Sequence, residues 1–178
     1  NDEFTRYTEL VIHIKHLRNL KNSLNVITND LIKYVQGSYS VIFVKRDNKL
    51  KVASLNVPLE VRKLSEVLIG SLDSVSFDLN NKEDCKNFYV KSLLDNVVVE
   101  SENVFDFTYP LLSKDVSRAL ELIANVKFIS SYPLVFNNFT VGVLGLVFTK
   151  KVLSDYEKEI TLNFSRLVAE IVYNLNNF

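Results

Sequence analysis

Cysteine is nearly missing from this sequence. Cys85 stands alone among 178 residues, so no internal disulfide can form, and small secreted domains built on paired cysteines are excluded. The expectation is a reducing, cytoplasmic location. Glycine and histidine are scarce too, at four and two residues. Isolated glycines do not make a phosphate-cradling loop. His13 and His16 both precede the core, which takes the base from any serine–histidine–acid set and the common axial ligand from any haem site. No pair of catalytic carboxylates can be assembled, and the chain is not expected to be an enzyme. An excess of either charge is lacking as well: 21 basic residues balance 21 acidic ones, leaving no field to hold a nucleic acid. The longest apolar run, near Val143 to Phe148, falls far short of the roughly 20 residues that span a bilayer, so no membrane span is expected in this segment. The chain opens at Asn1 without a signal-peptide pattern, and the expectation is a piece of a longer polypeptide.

What is present is regular. Apolar residues make up 47% of the chain and charged ones 24%, the balance of a globular domain rather than a disordered one. From Leu10 the steps of three and four through Leu17, Leu20, Leu24, Ile27, Leu31 and Tyr34 form a heptad seam that predicts a long helix. Such a stripe either packs on its own domain or pairs with a second copy, and Gly37 stops it. Tyr39 to Arg46, Asp47-Asn48 and Leu50 to Leu55 predict a β-hairpin. A helix follows Pro58 and ends at Gly70, and Val75, Phe77 and Leu79 alternate as a third strand. The segment from Asn80 to Asp106 is hard to read, with Phe88 to Leu94 ambiguous and a short strand expected at Val97 to Val99. Ser113 caps a helix from Lys114 to about Ala124 with Val116, Leu120 and Ile123 inward. Lys127 to Phe136, Asn137-Asn138 and Phe139 to Phe148 predict a second hairpin. Its second strand is apolar on both faces and must be covered on both, which implies three layers. Ser154 and Glu157 read as a capping box, opening a last helix that carries Ile160, Phe164, Leu167, Val168, Ile171 and Leu175 on one face.

This order of elements resembles the GAF domain family, most clearly over SYPLVFNNFTVGVLGLVFTKKVLSDYEKEITLNFSRLVAEIVYNL. The points of similarity are Pro133-Leu134, Gly142, Leu144, Ser154 and Ala169, and the resemblance covers Ser23 to Leu175. PAS domains are the nearest competing fold. The resemblance implies an α+β, GAF-like (profilin/PAS-like) architecture: a central antiparallel sheet of five or six strands in three layers, flanked by helices, with long N- and C-terminal helices. Those terminal helices share one face, and shorter helices close a ligand cavity on the other. Residues 1–22 are expected as a helical linker or coiled-coil extension and residues 23–178 as the GAF-like sensory domain.

By analogy with the family, Phe107, Tyr109, Arg118, Ser130 and Tyr132 are the candidate pocket residues. Leu10, Leu17, Leu20, Leu24, Ile27, Ile171 and Leu175 are the candidates for a homodimer interface. The family's cofactor sites are not reproduced. Cys85, in the context DCKNF, lacks the histidine that follows a bilin-linking cysteine. Asn81, Lys82 and Phe88 echo a cyclic-nucleotide motif, but Ser92-Leu93 stand where its acids belong. His13 and His16, three apart on a helix, have no further ligand beside them for a metal, and no bilin, haem or metal is expected. The resemblance implies a non-catalytic sensory or regulatory domain relaying a small-molecule or other signal to a linked effector: a histidine kinase, a diguanylate cyclase or a transcriptional activator. The alternative is a degenerate GAF domain whose cavity is filled and which serves only as a dimerisation or spacer module.

Overall fold

The computed structural model describes residues 3–6, 8 and 19–175. Six antiparallel strands form one sheet: β1 (Ser38–Arg46), β2 (Lys49–Asn56), β3 (Ser76–Asp78), β4 (Val99–Ser101), β5 (Phe128–Phe136) and β6 (Phe139–Phe148), in the order β3-β2-β1-β6-β5-β4. The helices are α1 (Leu20–Tyr34), α2 (Leu59–Ile69), α3 (Phe88–Asp95), α4 (Phe105–Thr108), α5 (Lys114–Ile123) and α6 (Asp155–Leu175). Both hairpin turns place two consecutive residues at positive φ: Asp47 at 51° and Asn48 at 59°, Asn137 at 49° and Asn138 at 65°. Asparagine and aspartate tolerate that conformation best among residues with a side chain, and the resulting turn matches the twist of the strands it joins.

The sheet is covered on both faces. On one, α1 and α6 bury Leu24, Ile27, Leu31, Phe164, Val168 and Val172 against Ile42, Leu134, Leu144 and Leu146. On the other, α3 and α4 bury Tyr89, Val90, Leu93 and Phe107 against Val41, Phe43, Phe77, Ile129 and Val143. The two-faced strand expected at the end of the chain is β6, whose Val141, Val143, Leu144 and Leu146 are all fully buried.

The seam of the first helix resolves into a domain contact over its second half. Leu24 and Ile27 lie in the chain's own core, and Ile171 is buried to within 7%. Their surface is spent on the sheet, so these three residues are corrected from dimer contacts to core. Leu20 and Leu175 are half-buried at its margin, while Leu10, Leu17, His13 and His16 lie outside the described residues. Asn19 caps α1 by accepting from the Asn22 amide at 3.1 Å. Ahead of it, Glu3 accepts from the Tyr156 hydroxyl at the start of α6 at 2.6 Å, so at that point the leading segment lies against the domain.

The capping box of α6 is reciprocal: the Glu157 amide donates to Ser154 Oγ at 3.1 Å and the Ser154 amide to Glu157 Oε1 at 3.2 Å. Burial alone would raise the Glu157 carboxyl. The Lys150 ammonium together with the Ser154 amide and hydroxyl overcomes that and holds it below its ordinary value of 4.5. With the folded value below the unfolded one, the contribution is complete above the unfolded value and disappears as pH falls through the folded value. Ser154→Ala is therefore expected to cost about 1 kcal/mol at neutral pH, read as a Tm lower by about 2–4 °C. The gap between wild type and Glu157→Gln should close as pH falls through the folded value, and a gap that persists in acid would reject the linkage.

Candidate functional site

The cavity of interest lies on the face of the sheet away from the terminal helices. Its floor is Val41 and Phe43 of β1, Val52 and Leu55 of β2, Phe77, Ile129 and Val147. Val61, Ser65 and Ile69 of α2 form one wall, Tyr89, Val104 and Phe107 another, and Leu111, Leu112, Leu120 and Ala124 a third. It encloses about 200 Å³.

Asn87 organises the inner wall. It is fully buried, and its side-chain oxygen accepts from the Tyr89 amide at 2.8 Å, capping α3. Its amide nitrogen donates to the carbonyls of Phe107 at 2.9 Å and Tyr109 at 2.7 Å. One residue thus satisfies a donor of α3 and two acceptors at the end of α4, where no intrahelical partner exists. At the other end of α3, Ser92 Oγ donates to Val97 O at 2.7 Å and Ser131 O at 3.1 Å, tying the helix to β5. Held this way, Tyr89 packs its ring 4.8 Å from both Phe43 and Phe107, and Phe43 continues the chain of rings to Phe77 at 5.8 Å. Such tilted contacts suit the ring quadrupoles. Tyr89 is 7% exposed, and among the described residues its hydroxyl, which is not sealed from the cavity space, makes no hydrogen bond, whereas the fully buried unpartnered hydroxyls are those of Ser40 and Ser131. Burial pushes this phenol well above its ordinary value, so it stays neutral.

The outer wall is held more loosely. No residue of α2 is buried, and Val67 is 83% exposed; its tether is Arg62, which donates to Glu66 at 3.0 Å and to Asp73 at 2.6 Å. In α5 the inward face is only in part the one expected, with Leu120 on the cavity wall. Ile123 is exposed, Val116 and Leu120 are half-buried, and the buried residues are Ser117 and Glu121. The reason is polar. Ser117 Oγ lies 2.6 Å from Thr108 Oγ1, and Glu121 accepts from the Val104 amide at 3.3 Å, so side-chain hydrogen bonds fix the rotation of α5 on α4.

Of the five pocket candidates only Phe107 lines the cavity. Tyr109 turns its hydroxyl to Glu83, and the largely exposed Arg118 pairs with Glu121. Ser130 and Tyr132 lie across the sheet, because alternation along β5 sends Phe128, Tyr132 and Leu134 to the face of α1 and α6 and Ile129 to the cavity. There Ser130 donates to Glu100 at 3.0 Å, and burial, then the Glu100 carboxylate, push the Tyr132 phenol up to about 12. Tyr109, Arg118, Ser130 and Tyr132 are therefore corrected from pocket to surrounding structure. Tyr89 and Asn87 were missed, and the signal that could have found them is an N-cap asparagine ahead of FYVKSLL.

Among the described residues no group of three or more histidine, cysteine or acidic side chains could hold a metal, and no helix is long and apolar enough to cross a membrane. Cys85 is half-buried outside the cavity lining, its thiol donating to Leu79 O at 3.2 Å. Among the described residues no charged one lines the cavity. The arrangement offers binding without an evident nucleophile or base.

The architecture is therefore α+β in three layers, a sheet with its terminal helices on one face and a helix-walled cavity on the other. No family model and no curated protein sequence matches the chain. Solved structures do. The GAF domain of an Acinetobacter phosphoenolpyruvate-protein phosphotransferase is similar at a TM-score of 0.69 and 12% identity, over 99% of this chain and 96% of that one. The GAF domain of a two-component sensor histidine kinase from Bacillus halodurans is similar at 0.65 and 18% identity, over 90% and 98%. A type II free methionine-R-sulfoxide reductase from Thermoplasma acidophilum is similar at 0.59 and 15%, over 88% and 97%. The chain has the GAF fold.

Proposed function

We propose that this chain is a non-catalytic sensory or regulatory domain that takes a small molecule into the cavity and relays its presence to a covalently linked effector. The cavity carries this reading: it is unfilled by side chains, and its floor is the same sheet on which the terminal helices rest. Occupancy that shifts β1 and β6 reaches α1 and α6 directly, and a ligand shifts the balance of states by as much as its affinities for them differ. The sensor histidine kinase among the similar structures suggests a histidine kinase effector, with a diguanylate cyclase or transcriptional activator as the other expected types. The lone cysteine fits a cytoplasmic setting. The likeness to a methionine-R-sulfoxide reductase does not bring an enzyme reading with it, since Cys85, the chain's one thiol, is outside the cavity lining.

Dimerisation belongs to the same proposal, with its seam reduced to Leu10, Leu17, Leu20 and Leu175. Residues 1–22 then act as the helical linker. Native mass spectrometry of the chain tests both parts. The expected result is a dimer that retains a small molecule and becomes a monomer when residues 1–18 are removed, a truncation that spares Asn19 and the core of α1. A monomer before truncation would defeat the dimer. Protein without a retained molecule, and without a melting shift across a metabolite panel, would defeat the ligand and favour a spacer role.

A further inference from the structure

We propose that the ligand is a small neutral aromatic molecule with a single hydrogen-bonding group, of the phenol class, held in the uncharged cavity with that group on the Tyr89 hydroxyl. This rests on the sensory reading above and narrows it.

Size sets the first limit. At about 200 Å³ the cavity exceeds the roughly 150 Å³ in which an apolar protein cavity accepts benzene. It falls below the roughly 300–1,000 Å³ of sites for drug-sized ligands. A ligand of about eight to ten non-hydrogen atoms fits that interval.

Charge sets the second. Among the described residues no lysine, arginine, histidine, aspartate or glutamate lines the cavity, and the hydroxyl-bearing residues on it are Tyr39, Ser40, Ser65, Tyr89 and Thr108, of which Ser40, in step with Ile42 and Val44 along β1, belongs by its side chain to the opposite face. A carboxylate, phosphate or ammonium would enter without a counter-charge, at a desolvation cost that hydroxyls do not repay. Nucleotides and free amino acids are therefore excluded.

The walls set the third. Phe43, Phe77, Tyr89 and Phe107 place four rings around the inner end, which favours a flat aromatic body in edge or offset contact. Thr108 Oγ1 is already engaged with Ser117 and Val104 O. The Tyr89 hydroxyl makes no such bond, and in an apolar, water-poor cavity it gains when a ligand supplies a partner.

The test uses matched probes with the whole chain in calorimetric titration: p-cresol, toluene, benzoate and benzylammonium. p-Cresol and toluene are expected to bind, p-cresol the tighter, while benzoate and benzylammonium do not. Tyr89→Phe keeps the ring and removes the hydroxyl, so it should weaken p-cresol about five- to tenfold, the worth of one hydrogen bond, and leave toluene unchanged. Val126→Phe, which adds a ring to the lining, should abolish both while the protein stays folded by circular dichroism. Charged probes that match p-cresol and are lost with Val126→Phe overturn the ligand class but leave the sensory reading standing. Equal p-cresol affinity in wild type and Tyr89→Phe overturns the anchor. If no probe binds, the class is wrong, and the native mass spectrum separates that failure from failure of the sensory reading, because a retained molecule of another class upholds the latter.

Discussion

Gly142→Ala is expected to lower stability by on the order of 3 kcal/mol, the upper range for overpacking, and Tm by about 6–12 °C at 2–4 °C per kcal/mol for a domain of this size. Gly142 pairs with Val44 of β1 on one side and Leu134 of β5 on the other, at the middle of the sheet. A methyl carbon there would lie 2.1 Å from the Phe43 carbonyl oxygen, 3.1 Å from its carbon and 3.2 Å from Val44 Cα. All three atoms are backbone of the neighbouring strand, so no rotamer change relieves the contact, and β1 and β6 must part or the residue must twist. Gly145 makes the comparison. Its added carbon would meet Tyr89 Cε1 at 2.6 Å and Val41 Cγ1 at 2.8 Å, side-chain atoms that can shift together. Gly145→Ala is thus expected to cost less than Gly142→Ala while disturbing the cavity more. Thermal melts of both variants decide the order, and a Gly142→Ala melt within 2 °C of wild type would reject the steric account.

The glycine also marks how far the sequence could be read. Gly142 was legible as a point of GAF resemblance, but the oxygen it faces was not, because the contact joins residues about a hundred positions apart. Local signals did well. Asp47-Asn48 and Asn137-Asn138 announced both turns, Ser154 its cap, and the apolar run of β6 its double burial, since each rests on neighbours in sequence. Facing was harder. The register of β5 on β6 skips Val141 between Leu134 and Val135, so Val141 and Val143, two apart, belong to opposite cores. Period-two reading fails across such a bulge. Ser130 and Tyr132 went to the wrong face for a related reason: an aromatic strand shows alternation without showing which set faces which layer. The stripe of α1 likewise states that a face is apolar and leaves its partner unstated. The polar pins of the cavity wall were the least legible, because Asn87, Ser92 and Glu121 act on backbone groups brought to them by the fold.

Asn87 carries the other large expected effect. Asn87→Ala removes an acceptor from the Tyr89 amide and a donor from the carbonyls of Phe107 and Tyr109, at a fully buried position. Each of the two carbonyls left unsatisfied costs about 1–3 kcal/mol, and loss of the cap adds about 1 kcal/mol. Partial relaxation and water entry reduce the sum, leaving an expected loss of about 3–5 kcal/mol and a Tm lower by at least about 6 °C. Asn87→Asp sharpens the reading. It keeps an oxygen for the Tyr89 amide but sets a carboxylate against two carbonyl oxygens, so it should be no better than alanine at neutral pH, although a cap alone would be preserved by it. The effect should also be local before it is global. α3 and α4 carry Tyr89 and Phe107, so below the melting range Asn87→Ala should speed amide exchange in both helices and weaken p-cresol binding, whereas Ser154→Ala should do neither. An Asn87→Asp protein as stable as wild type would show that the cap alone accounts for the residue and that the two carbonyls find other partners.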